Sequence, residues 1–369
     1  MGFHRTAAAL MLMVTLAAWA PARAARPDVP RDLAAVVAGF LADNPSAPGA
    51  AVHVICPPHS LDTTLVAGLA GRDTGEPVNA RHTFRIASNT KTYVAAAVLR
   101  LAEDGRLDLD DVLADHLDPA RADLLRGDGY DPGAMTIAQV LSHTAGLAEH
   151  PADPRYGEAV EADPQRVWTA DEQVRLCVQW RDPVAAPGDT FSYSDTGYVL
   201  LGGIVEDLAG ADLGTAVHRL LDYDTLGLGA TWWEIMEPAP ATAGPRLHQY
   251  YGDADTHDWH PSLDLYGGGG LVTDARDLAR FLRLLLEGRV LHDPASLAAM
   301  TGRGAEDYRL GIFHLELAGY EAWGHTGFWN TFAFHVPELD LTLAGVITDH
   351  FASPGRELAA DLTAALGGR

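Results

Sequence analysis

The chain has 369 residues, 47% of them hydrophobic, with 37 glycines, 22 prolines and a formal charge of −24. Those values describe an ordinary globular chain and exclude disordered, collagenous and disulfide-dense classes. An acidic chain with no Lys/Arg cluster lacks the electrostatic footprint of a nucleic-acid binder and is repelled by an anionic membrane surface.

Met1 to Ala24 has the pattern of a secretory signal: Arg5 at the start, an apolar run from Ala7 to Ala20, and Ala22-Arg23-Ala24 as an A-x-A cleavage site. The remaining chain, 25–369, is then expected to be secreted or periplasmic. It should have no stable membrane span after cleavage, because no later segment reaches 18 uncharged apolar residues. Helical periodicity runs from Arg31 to Ala42. Strand-like runs follow at Gly49–Ile55 and Thr63–Gly68, joined through the turn-rich Pro57-Pro58-His59-Ser60. From Ser88 to about His260 the pattern is helical, broken by Pro/Gly/Asp loops. Leu278 to Leu286 is helical again. Strand-like runs at Gly311–Leu317, Glu321–His325, Thr331–Val336 and Leu341–Ile347 lead to a last helix near Arg356–Leu366. Strands at both ends with helices between predict an α+β fold. In it, an antiparallel sheet built from the N- and C-terminal segments (about 30–86 and 265–369) is flanked by helices and carries a mostly helical insertion (about 88–260).

Two cysteines occur, Cys56 and Cys177. Export permits a bridge between them, but a strand-like setting for one and an apolar helical stripe for the other favour two buried free thiols. Neither has metal-ligand spacing. The His257-Asp258-Trp259-His260 cluster offers no third ligand and reads as a solvated loop. Asp108-Leu109-Asp110-Asp111 lacks the glutamate that would complete a calcium loop. No metal and no cofactor are expected.

The basic residues are 25 arginines and a single lysine, Lys91. It lies three residues after Ser88, where an apolar helix begins that stops at Gly105. Residues i and i+3 share a helix face, so the hydroxyl and the amine can meet. A serine needs an adjacent base to act as a nucleophile. A lysine can lose its proton to serve as one, whereas a guanidinium stays protonated at any working pH. The exception to the arginine preference falls where arginine would fail. A second element is Phe191-Ser192-Tyr193-Ser194-Asp195, ahead of a helical run, where Tyr193 can relay a proton if a nearby cation assists it. A third is Gly324-His325-Thr326-Gly327 at a strand end, where glycines allow a substrate to approach the backbone.

Taken in order, these three elements resemble the serine β-lactamase and penicillin-binding-protein-like family, in the branch of class C β-lactamases, DD-carboxypeptidases and related esterases. Supporting segments are Phe84-Arg85-Ile86-Ala87-Ser88, Leu141-Ser142-His143-Thr144-Ala145-Gly146-Leu147, and Gly268-Gly269-Gly270-Leu271-Val272-Thr273 leading into Asp274-Ala275-Arg276-Asp277-Leu278. The resemblance implies that Ser88 forms an acyl-enzyme, with Lys91 and Tyr193 as the linked base and acid. It further implies an oxyanion hole from the backbone N–H groups of Ser88 and Phe328, with Asp195, His325, Thr326 and Gly327 at the substrate. The substrate is then a small molecule or peptide with an ester or amide bond.

Two positions depart from that pattern. Asp195 stands where the family has an asparagine, which replaces an amide donor by an acceptor and tends to raise the pKa of Lys91. In Tyr308-Arg309-Leu310-Gly311-Ile312-Phe313, Phe313 stands where similar DD-carboxypeptidases hold a terminal carboxylate with arginine. This favours an ester or neutral amide. A catalytically weak protein that keeps the fold for binding is the alternative. No serine lies in a G-x-S-x-G elbow, which argues against an α/β-hydrolase.

Overall fold

The computed structural model describes residues 29–368. The expected signal at Met1–Ala24 lies outside the described residues. Six antiparallel strands form the main sheet in the order Leu61–Gly68, Gly49–Cys56, Leu341–Ile347, Thr331–Val336, Tyr320–Gly327, Phe313–Leu317. The last strand in the sequence therefore sits in the middle, paired on one side to the first, with Ala50 opposite Ile347 and Ile55 opposite Thr342. Leu341–Ile347 is buried along its whole length, which is why it reads as a continuous apolar run instead of an alternating one.

Helices cover both faces of the sheet. Val29–Asp43 and Gly355–Gly367 pack Leu33, Val37, Leu358 and Leu362 against Val52, Val54, Phe334 and Leu343. On the other face lies Ala275–Leu286, whose Leu278, Phe281, Leu282 and Leu285 point into the larger core. That core also holds Thr90–Glu103, buried from Thr90 to Leu101. A helix enclosed on all sides needs small or apolar residues all round, and Val94-Ala95-Ala96-Ala97-Val98 supplies them.

The sheet is narrower than the sequence implied. Thr83–Arg85 and Leu271–Asp274 leave it and join Trp232–Trp233 in a separate three-stranded sheet, so the region between 88 and 260 is not purely helical. This small sheet matters for function. It runs directly into Ser88 on one strand and emerges from the glycine run 267–270 on another. Cys56 and Cys177 are both buried and free: one thiol faces the carbonyl of Leu339 and the other that of Ala148.

Candidate active site

Ser88 sits in a single 3₁₀ turn, Ala87–Asn89, between the strand Thr83–Arg85 and the buried helix that follows. Ala87 is forced to a φ of +46°, a left-handed backbone that costs an alanine on the order of 1 kcal/mol. The strain is held from the neighbouring sheet. Asn89 Nδ2 donates to Ile86 O (3.1 Å) and to Thr331 Oγ1 (3.0 Å), and Thr331 Oγ1 donates to the same Ile86 O (2.8 Å). Arg85 braces the other side. Its guanidinium pairs with Glu234 (2.6 Å) and donates to Thr256 O (3.1 Å) and Trp259 O (2.7 Å), which locks the loop bearing Trp259 against the nucleophile.

One turn later, Lys91 is 0% exposed. Its Nζ lies 3.0 Å from Ser88 Oγ, 2.7 Å from Gly268 O and 2.5 Å from Asp195 Oδ1. Burial alone would push this amine down. The carboxylate of Asp195 opposes that, with smaller help from Tyr193 and Asp264, and the net effect holds the amine well above the usual lysine range. The resting site therefore contains an ammonium. The acid at 195, where the family pattern has an amide, is the physical cause, and the shift is in the direction expected from the sequence.

Tyr193 lies on the loop before the helix Asp195–Ala209. Its hydroxyl is within hydrogen-bonding reach of both Lys91 and Ser88; burial raises it well above the ordinary phenol range, with Lys91 pulling the other way. The loop hangs on the turn Ser142-His143-Thr144, where His143 takes a φ of +57°. His143 Nδ1 accepts from the Ser194 N–H (3.1 Å) and its carbonyl accepts from the Ser192 N–H (2.7 Å), bracketing Tyr193. The His143 ring then packs 4.2 Å from that of Tyr193. Ser194 caps the next helix by accepting from the Gly197 N–H, so Asp195 begins a helix, where the dipole favours a negative charge.

The glycines 267–270 thread between two acids. A Cβ on Gly269 would collide with the carboxylate of Asp264, whereas one on Gly268 would stand in ordinary contact with Asp195. The Gly268 carbonyl accepts from Lys91. Asp264, at the end of the turn Pro261–Asp264, is pushed up to about 7, first by desolvation and then by Asp195. Glu149, on the loop after Leu147, is pushed up to about 8 for the same two reasons in the same order.

The strand Tyr320–Gly327 closes the opposite side. Gly327 approaches so near that a Cβ would collide with Ile86 O and Thr331 Oγ1. Thr326 is exposed to the cleft, and Phe328 is 49% exposed beside Ser88. His325 is a different matter. It is 2% exposed, its Nε2 pairs with Tyr308 Oη (3.0 Å), its Nδ1 meets Thr326 O (2.6 Å), and burial holds it near 3. It is a neutral ring that braces the strand end at the edge of the cleft. Replacing Gly327 by alanine is expected to push this strand off Ser88. The melting temperature should fall by several degrees, for an overpacking cost of about 1–3 kcal/mol, and turnover should drop by at least about tenfold; thermal melts with ester assays check both.

All eight site residues named from the sequence meet around one cleft. Ser88, Asp195 and Phe328 line both of its halves, while Tyr193, His325, Thr326 and Gly327 line one and Lys91 lies beneath. Phe313 also lines it, and Arg309 turns back to the carbonyls of Glu306 and Tyr308, so neither supplies a cation for a terminal carboxylate. Asp264 and Glu149 were missed. The only trace of Asp264 in the sequence is the four-glycine run that makes room for it. Among the described residues no group of three or more His, Cys, Asp or Glu is arranged to hold a metal.

Comparison with known proteins agrees with this geometry. A family model described as Beta-lactamase matches residues 33–367. A putative D-alanyl-D-alanine carboxypeptidase from Salmonella heidelberg is 26% identical over 288 residues, which is 67% of this chain. The chain spans 65% of the length of that curated relative. Among solved structures, a D-stereospecific amidohydrolase from a Streptomyces species superposes with a TM-score of 0.77 at 26% identity, covering 93% of this chain and all of that one. A D-amino acid amidase from Ochrobactrum anthropi, at 22% identity, shares the fold with a TM-score of 0.78 over 92% of this chain and 99% of its own.

Proposed function

The chain belongs to the beta-lactamase family, and from that premise we propose that it is an exported serine hydrolase. In this reading it cleaves an ester or a neutral amide through an acyl-enzyme on Ser88. The observation that carries the reading is the 3.0 Å contact between Ser88 Oγ and Lys91 Nζ at the floor of an open cleft. Ser88 Oγ attacks the carbonyl carbon. Its proton passes to Lys91 once that amine has given up its own proton to solvent, directly or through the Tyr193 hydroxyl, and from there to the leaving group as the bond breaks. The developing oxyanion is taken by the backbone N–H groups of Ser88 and Phe328. Water then attacks the ester on Ser88, with the same pair receiving its proton.

Among substrates, a peptide ending in a free carboxylate is disfavoured because Phe313 and the averted Arg309 leave no cation at the place where the resemblance puts one. The pattern of Met1–Ala24 is the basis for placing the protein outside the cytoplasm. No helix among the described residues is long and apolar enough to cross a membrane.

The test is covalent. A reactive acylating ester or fluorophosphonate should add one equivalent to the wild-type protein by intact-protein mass spectrometry, and nothing to Ser88→Ala. An adduct that survives Ser88→Ala, or none on the wild type, would sink the reading. The latter result would favour the catalytically weak binding protein, an alternative motivated by the tight pairing of Lys91 with Asp195.

A further inference from the structure

His143 is a buried titratable group that takes no part in the proton transfers at Ser88. It is 2% exposed. Burial, with the charge of Lys91 second, holds it well below the ordinary histidine range, so the ring is neutral. Its Nδ1 accepts from the Ser194 N–H (3.1 Å), which leaves the proton of the neutral ring on Nε2. That N–H is buried and has no hydrogen-bond partner. A buried donor left unpaired is costly. The backbone beneath it is left-handed as well, with a φ of +57°, which is uncommon for a residue with a side chain. Two penalties at one residue beside the nucleophile call for a role of the ring itself.

The ring is set among tyrosines. Their centroids lie 4.2 Å away for Tyr193, 4.7 Å for Tyr308 and 5.1 Å for Tyr198. Tyr308 and Tyr198 are themselves anchored, the first by Nε2 of His325 (3.0 Å) and the second by donating to Leu141 O (2.8 Å). Tyr193 is the one whose hydroxyl reaches both Ser88 and Lys91.

We propose that His143 is a positioning residue for Tyr193: its ring, packed against the phenol, sets the rotation of that side chain and so keeps the hydroxyl between Ser88 and Lys91. The inference rests on the Ser88 hydrolase reading and adds to it a residue that touches neither the substrate nor the reacting atoms. The N–H groups of Ser192 and Ser194 are both taken by His143, which fixes the loop. Those bonds leave the side chain between them free to turn about χ1 and χ2. A phenol that swings by about an ångström loses its aim at both partners, and the ring contact removes that freedom. Ring faces are also the weak acceptors available to an N–H with no oxygen partner.

The experiment separates the ring from the loop. His143→Asn keeps an acceptor where Nδ1 stands and suits a left-handed backbone, but it has no ring. It is assayed with p-nitrophenyl butyrate, alone and in a Tyr193→Phe background, with folding followed by circular dichroism. Variants too slow for that assay are followed by the rate at which a fluorophosphonate adds to Ser88. His143→Asn is expected to lower kcat by about ten- to a hundredfold, with KM within about threefold of wild type. In the Tyr193→Phe background the same change should cost less than about threefold, because the hydroxyl it positions is gone. A His143→Asn enzyme with wild-type kcat, or a loss of equal size with and without the Tyr193 hydroxyl, overturns the positioning role and leaves the hydrolase standing. Should the asparagine variant not fold, His143→Phe, which keeps a ring and loses the acceptor, decides. A kcat within about threefold of wild type then supports the ring's role, whereas a larger loss, or a chain that also fails to fold, overturns it. A wild type with no Ser88-dependent turnover overturns the hydrolase reading itself, and the positioning role with it.

Discussion

Replacing Lys91 by arginine is expected to lower kcat/KM on any substrate by about a thousandfold or more, because it keeps the charge and removes the ability to give up a proton. The geometry sharpens the expectation. Lys91 Nζ is held by Ser88, Gly268 O and Asp195 in a site with no exposed surface. A variant that folds, as judged by its circular dichroism and melting temperature, yet hydrolyses p-nitrophenyl butyrate at near wild-type rate would move the base to Tyr193 and reduce Lys91 to an electrostatic partner. Parallel assay of Tyr193→Phe distinguishes the two, since its hydroxyl reaches both Ser88 and Lys91.

Asp195→Asn carries the opposite expectation: a gain in activity toward neutral esters at neutral pH. Burial pushes Lys91 down, and only the facing acids, Asp195 foremost, hold it above its ordinary value. With the carboxylate gone, burial prevails, opposed by the remaining Tyr193 and Asp264. Lys91 then sheds its proton instead of remaining an unpaired buried ion. The sign follows directly. A base with a raised pKa gives a rate that keeps climbing into the alkaline range, and lowering that pKa moves the climb to lower pH. The alkaline limb of kcat/KM for p-nitrophenyl butyrate is expected to shift down by at least about one pH unit. If the limb stays in place while the rate falls, Asp195 has some role other than restraining Lys91.

The two effects turn on one contact. On the proposed reading, the acid beside Lys91 holds the amine protonated and restrains it as a base, and an amide at 195 would lack that restraint. The loop that carries Asp195 is hung on the His143 turn, where His143 takes a left-handed backbone.

Local chemistry made much of this legible in the chain itself. The strand runs Thr331–Val336 and Leu341–Ile347 coincide with the observed strands, because strands buried on both faces are mainly apolar. Ser88 and Lys91 were legible because helix geometry alone brings i and i+3 together, and because one lysine in an arginine-rich chain has few reasons to persist. Tyr193, Asp195 and the His325–Phe328 strand end were legible only as a pattern, since nothing in their spacing from Ser88 fixes a distance.

The candidate nucleophile, the candidate base and the α+β plan were thus legible in the sequence, through periodicity and residue chemistry acting over a few positions. Tertiary structure alone decided the upward shift of Lys91, the burial of His325 and the desolvation of Asp264. Each depends on which charges and surfaces are brought within a few ångströms across 70 to 240 residues of chain. Electrostatic energy depends on separation in space and on exclusion of water, and neither is written in the order of residues.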